Sequence, residues 1–92
     1  MYKISQYSYN QAKKLGVKIY PSKYKNKKID VYDFNNNFIF SIGDIRYKDF
    51  QIYLKEKGKQ YAENRRRLYH IRHNKDEKKL DSRGYYASKI LW

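Results

Sequence analysis

The sequence predicts an α+β fold: a small antiparallel sheet of about three strands, packed against two or three C-terminal helices. Three observations predict it. Residues 28–42 alternate apolar and polar side chains on either side of Asn35, Asn36 and Asn37. From Asp49 onward, apolar residues recur at spacings of three and four, as one face of a helix requires. Aromatic residues make up 18% of the chain, and 12 are Tyr. Rings supply the contact area for a core where aliphatic side chains are few.

The elements follow in order. Ser8 is placed to cap a short helix that Gly16 closes in the left-handed conformation. Residues 17–20 alternate as a short edge strand does, and Pro21 ends it. Residues 22–28 read as a basic loop; if extended, it sets Lys23, Lys25 and Lys27 on one face. The hairpin 28–42 turns at the three Asn residues, which tolerate positive φ. Phe38, Phe40 and Ile42 return in strict alternation, with Ile39 facing the other way. Asp49 caps a helix carrying the stripe Phe50, Tyr53 and Leu54, and Gly58 stops it. A longer helix runs from Lys59 to His73. Its expected inner face follows Tyr61, Asn64 or Arg65, Leu68, and Ile71 or Arg72, flanked by Ala62, Arg66 and Tyr69. Residues 74–79 read as a charged loop. Ser82 caps a last helix in which Tyr86, Ile90, Leu91 and Trp92 form an apolar end that docks on the sheet or on the long helix.

The 92 residues are expected to form one small domain, 1–92, with 1–16 as a helical extension and 17–92 as sheet plus helices. Lys and Arg number 22 against 9 Asp and Glu, a net charge of +13. That excess repels itself in a compact state and is relieved by a polyanion, whose phosphates also release counterions. Residues 1–28 hold eight Lys and no acid, 29–57 are near neutral, and 58–92 hold ten basic and four acidic residues. The two ends therefore read as binding surfaces and the middle as scaffold. Cysteine is absent, which removes disulfides and thiolate metal sites. No signal-peptide pattern or transmembrane run is visible, so an intracellular place is expected and a membrane partner is not.

The nucleic-acid-binding candidates are Arg65, Arg66, Arg67, Tyr69, Arg72 and His73, joined by Lys23, Lys25, Lys27 and Lys28. On a helix, Arg65, Tyr69, Arg72 and His73 fall together, and Arg66, Tyr69, His70 and His73 share the next stripe. The Arg fork matches phosphate oxygens, and Tyr adds a stacking face. Three consecutive Arg cannot share one side, so at least one serves structure. The basic loop interleaves Lys with Tyr24, which suits a single-strand groove. His70 and His73 are spaced for metal ligation but lack a third ligand, so no metal or other cofactor is expected. Asp30 and Asp33 lie in the neutral hairpin without a cleft. No nucleophile elbow or phosphate loop appears, and the protein is read as non-enzymatic. A small nuclease is the enzymatic alternative, because Arg, His and Tyr together can act on a phosphodiester.

The order of motifs resembles a family of small basic proteins encoded by nucleocytoplasmic large DNA viruses. It runs from Ser41-Ile42-Gly43-Asp44 through the Asp49-Phe50 pair and the Arg65–His73 block to Gly84–Trp92, with Lys27-Lys28-Ile29 upstream. The resemblance covers about residues 22–92. It implies a viral protein in the host cytoplasm or viral factory, or packaged in the virion. It brings no established catalytic or binding residues. The leading expectation is a nucleic-acid-binding protein, DNA before RNA, gripping the phosphate backbone. The alternative is a minor structural virion protein that contacts capsid protein or another copy through its Tyr-rich surface and Trp92.

Overall fold

The computed structural model describes residues 2–92. The chain is α+β, with a three-stranded antiparallel sheet, an N-terminal helix and several C-terminal helices. It divides into two compact units, residues 1–47 and residues 48–92. Among the described residues, no helix is long and apolar enough to cross a membrane.

The first unit begins with helix α1, Gln6–Leu15. Its cap is Ser5, not the expected Ser8: the Ser5 hydroxyl accepts the Ser8 N–H at 3.1 Å. Ser8 lies inside the first turn, 1% exposed. Gly16 ends the helix at φ 74°, where a Cβ would be strained. The strands are β1 (Lys18–Pro21), β2 (Lys27–Tyr32) and β3 (Phe38–Asp44), in the order β1-β2-β3. Pro21 belongs to β1 and pairs with Ile29; an edge strand tolerates the missing donor. Lys27 and Lys28 are strand residues, so the basic loop is shorter than expected. Asn36 takes φ 66° in the β2–β3 turn, and the Asp33 carboxylate accepts the N–H groups of Asn35 and Asn37, each at 2.9 Å.

One sheet face is apolar. Ile19 lies opposite Val31, Val31 opposite Phe40, and Ile29 opposite Ile42. Ile29, Val31 and Ile42 are fully buried, with Ile4, Ala12 and Val17 also buried in this unit. Strict alternation in β3 does not hold. A bulge sets Phe38 opposite Tyr32, while Phe40 stays opposite Val31. One extra residue inverts which face a side chain takes. Phe38 therefore leaves the Phe40 side and joins the opposite face.

The second unit holds α2 (Phe50–Lys57), α3 (Lys59–Arg72), α4 (Asn74–Lys78) and α5 (Arg83–Leu91). Asp49 caps α2 through the Ile52 N–H, and Ser82 caps α5 through the Tyr85 N–H, each at 3.1 Å. The segment expected as a charged loop contains the short helix α4. Gly84 permits its approach to α5: a Cβ there would lie 2.7 Å from Asp76 Cβ and 3.0 Å from the Asp76 carbonyl oxygen.

The inner face of α3 also differs from expectation. Ala62 is fully buried, while Tyr61 is 44% and Ile71 62% exposed. The row Ala62, Arg65, Arg66 and Tyr69 turns inward instead. Arginine stems can cover apolar surface while rings receive their guanidinium groups, so a basic sequence can still form an inner face. Tyr86, Ile90 and Leu91 are buried as expected, and Trp92 stacks on Tyr69 of the long helix at 4.5 Å and 10°.

Candidate nucleic-acid interface

The Arg block divides by helical angle. Arg65 places its guanidinium 5.3 Å from the Tyr53 ring centre, with a buried Nε that has no hydrogen-bond partner among the described residues. Arg66 lies 3.5 Å from the centre of the Phe50 ring and 3.3 Å from Glu63. Both therefore pack as well as carry charge. Arg67 is exposed and donates to Asn64 Oδ1 at 2.9 Å. Arg72 is exposed on the last turn.

Tyr69 is not a free stacking platform. His73 covers one side at 4.3 Å and Trp92 stacks at 4.5 Å. Burial first, then the Glu77 and Asp76 charges, pushes its phenol up to about 12. His73 is committed to that stack. His70 Nδ1 lies 2.6 Å from Glu77 Oε2, and Ser88 donates to the same oxygen at 3.0 Å, joining α3, α4 and α5. Burial raises the Glu77 carboxyl, but the bonds from His70 and Ser88 outweigh it and leave it below its ordinary value.

What remains open is a groove of about 860 Å³ along the outer side of α3. Gln60, Glu63, Asn64, Arg67 and His70 line it, with Lys57 and Tyr61 at its start and Arg66 on its flank. The spacing 60, 63, 64, 67, 70 is one helical stripe. Amide, guanidinium and ammonium donors converge there beside a single carboxylate. A phosphate chain fits that donor set. Among the described residues, no group of three His, Cys, Asp or Glu could hold a metal ion.

The lysine candidates separate too. Lys23 and Lys25 are exposed in the β1–β2 loop, and Lys27 is half-buried on β2. Lys28 is 2% exposed with its ammonium 5.3 Å from the centre of the Tyr2 ring, so it does not extend the surface of the other three.

The sequence reading missed the polar side of the sheet. Asp30 lies there, 2% exposed. Its carboxylate accepts the Ser22 and Ser41 hydroxyls, each at 2.6 Å, and the Lys23 N–H at 3.2 Å. Burial pushes this carboxyl up, yet those hydrogen bonds outweigh burial and hold it below its ordinary value. The loop is thereby drawn over the sheet, and Tyr24 comes to 5.7 Å from Phe38. Phe38 meets Tyr32 at 5.6 Å, and Tyr32 meets Tyr20 at 5.5 Å, both edge to face. Four rings thus run across this face. The signal was available as Tyr20, Asp30 and Tyr32 at strand spacing, but the bulge that adds Phe38 has no mark in the sequence.

No protein-family model matches the chain, and no curated protein or solved structure shows significant similarity to it.

Proposed function

We propose that this protein binds nucleic acid without turning it over, chiefly through phosphate contacts along the α3 groove. The observation that carries the reading is the groove itself: Lys57, Arg66 and Arg67 face it with amide donors and one carboxylate, Glu63. The surrounding unit carries 13 basic against six acidic residues. Backbone contacts of this kind are weakly sequence-specific and steeply salt-dependent. Association with a viral genome, DNA before RNA, in a viral factory or virion, belongs to the same proposal and rests on the motif order. A structural virion role is the alternative; the exposed rings of the sheet are its support, since Trp92 is stacked within its own unit.

The test uses Lys57→Glu with Arg67→Glu, because alanine at 65 or 66 would remove packing along with charge. The double variant is expected to keep its helical circular dichroism and to lose about tenfold to hundredfold in affinity for DNA at low salt. Its log K against log salt slope should be shallower by about two. Unchanged affinity and slope would remove the groove from the interface.

A small nuclease is a second reading with one specific observation behind it. Glu77 orients His70 at the groove beside Arg66 and Arg67, as a carboxylate orients a general base. Labelled DNA and RNA that stay intact through long incubation, with and without divalent metal, would dispose of it.

A further inference from the structure

The four-ring face of the sheet is a separate feature from the α3 groove. Tyr20 is 47%, Tyr24 49% and Phe38 46% exposed, and Tyr32 is half-buried between them. Exposed rings are common singly; a row of four, each touching the next across one sheet face, is a contiguous aromatic patch of the kind that marks binding surfaces. The rings meet edge to face or tilted, at 53° to 80°, so they do not stack away one another's flat sides.

Charge decides what such a patch receives. Lys18 lies opposite Tyr32 in the register, and its ammonium reaches Asn36 at 3.2 Å. Lys23 stands 5.9 Å from the Tyr24 ring, and Lys25 is exposed beside it. Of the acids near this face, Asp30 is buried under its three hydrogen bonds, and Asp33, whose charge reaches Lys18, is held in the turn by the N–H groups of Asn35 and Asn37. Residues 1–47 hold nine basic and three acidic residues. A neutral apolar protein surface would gain nothing from the lysine border, and a duplex hides its bases' flat sides inside its stack. An unpaired strand brings both complementary parts: bases for the rings and phosphates for the lysines.

We infer that this sheet face is a stacking platform for unpaired nucleobases, held open by the Asp30-anchored loop, and that the protein prefers single-stranded nucleic acid. The inference rests on the nucleic-acid-binding reading above and names the form of the ligand. Tyr20 and Phe38 are the exposed stacking rings on either side of Tyr32, Tyr24 closes the end beside Phe38, and Lys18, Lys23 and Lys25 hold the backbone.

The test compares a fluorescent oligothymidylate with an abasic strand of equal length, which keeps the phosphates and lacks the bases. The wild-type chain is expected to bind oligothymidylate at least about tenfold more tightly than the abasic strand. Tyr20→Leu with Phe38→Leu keeps the side chains apolar and the net charge unchanged but removes two flat faces. It should lose that preference while binding the abasic strand as before. Tyr20→Phe with Phe38→Tyr should retain it. Tyr24→Leu, in the loop and outside the strand ladder, gives the same readout if the strand variants unfold, and should reduce the preference. An oligouridylate arm shows whether the bases come from RNA as readily as from DNA. Equal binding of the two strands by the wild type, or an undiminished preference in the Leu variants, would overturn the platform alone. Failure to bind either strand at low salt would overturn the nucleic-acid reading with it.

Discussion

Replacing Asp30 by Ala is expected to destabilise the protein by about 2–4 kcal/mol, lowering its thermal midpoint by about 10 °C or more. The carboxylate is 2% exposed and accepts three hydrogen bonds, two of them at 2.6 Å. Truncation leaves the Ser41 hydroxyl inside without its acceptor and frees the Ser22–Tyr24 segment from the sheet. The effect is also pH-dependent. The folded carboxyl titrates below its ordinary value near 3.8. A lowered value means stabilisation that is complete above the unfolded value and is lost as pH falls through the lower folded one. Thermal unfolding of the wild type should therefore weaken below about pH 4 by more than that of Asp30→Asn, which has nothing to titrate at this position. Circular dichroism melts across the acid range check both statements. Equal stability of Asp30→Ala and the wild type at neutral pH would mean the loop is held by something else.

Trp92→Ala is expected to cost about 2–4 kcal/mol, read as a lower midpoint of urea or thermal unfolding by circular dichroism. The indole lies nearly parallel to Tyr69 at 4.5 Å and 6.2 Å from Tyr53. Tyr69 in turn stacks on His73. Removing the outer ring opens one side of that column and exposes the Tyr69 phenol, whose value should fall from about 12 toward the ordinary 10.0. A difference titration against Trp92→Ala with Tyr69→Phe isolates that phenol. If Trp92→Ala melts with the wild type and leaves the phenol unmoved, the stack does not hold the C-terminal helix to the long one.

Local signals explain most of what could be read from the sequence. Gly16, Asp49, Gly58 and Ser82 mark their helix ends because capping depends on a few adjacent atoms. The hairpin was legible because period-two alternation and three Asn residues agree. The bulge at Phe38 was not, since an inserted residue leaves the letters unchanged and alters only their pairing. Ser5 and Ser8 are the same residue type and either could cap by sequence; the helix starts where the Ser5 hydroxyl accepts the Ser8 N–H, which leaves Ser8 buried in the first turn.

The candidate site was half legible for a similar reason. A run of Arg announces charge, yet Phe50 and Tyr53 decide which guanidinium packs and which remains open, and both lie on another helix. Tyr69 read as a stacking face because its covering ring, Trp92, is 23 positions away in the chain. Lys28 reads as a binding cation where the basic loop joins the hairpin, but on β2 it is buried, with its ammonium 5.3 Å from the centre of the Tyr2 ring. By sequence Asp30 is an acid of a neutral hairpin without a cleft; its partners Ser22, just after β1, and Ser41, in the middle of β3, meet it only in the folded sheet.

The central claim, that the +13 charge serves nucleic acid, is tested most directly by one titration. Labelled duplex DNA, single-stranded DNA and RNA are each titrated with the whole chain across a salt series by fluorescence anisotropy, with heparin as the polyanion control. The account predicts binding tighter than heparin's, falling log-linearly with salt, and tighter for single strands than for the duplex. Binding no better than heparin's, and lost at physiological salt, would contradict it and turn attention to a protein partner for the Tyr-rich face.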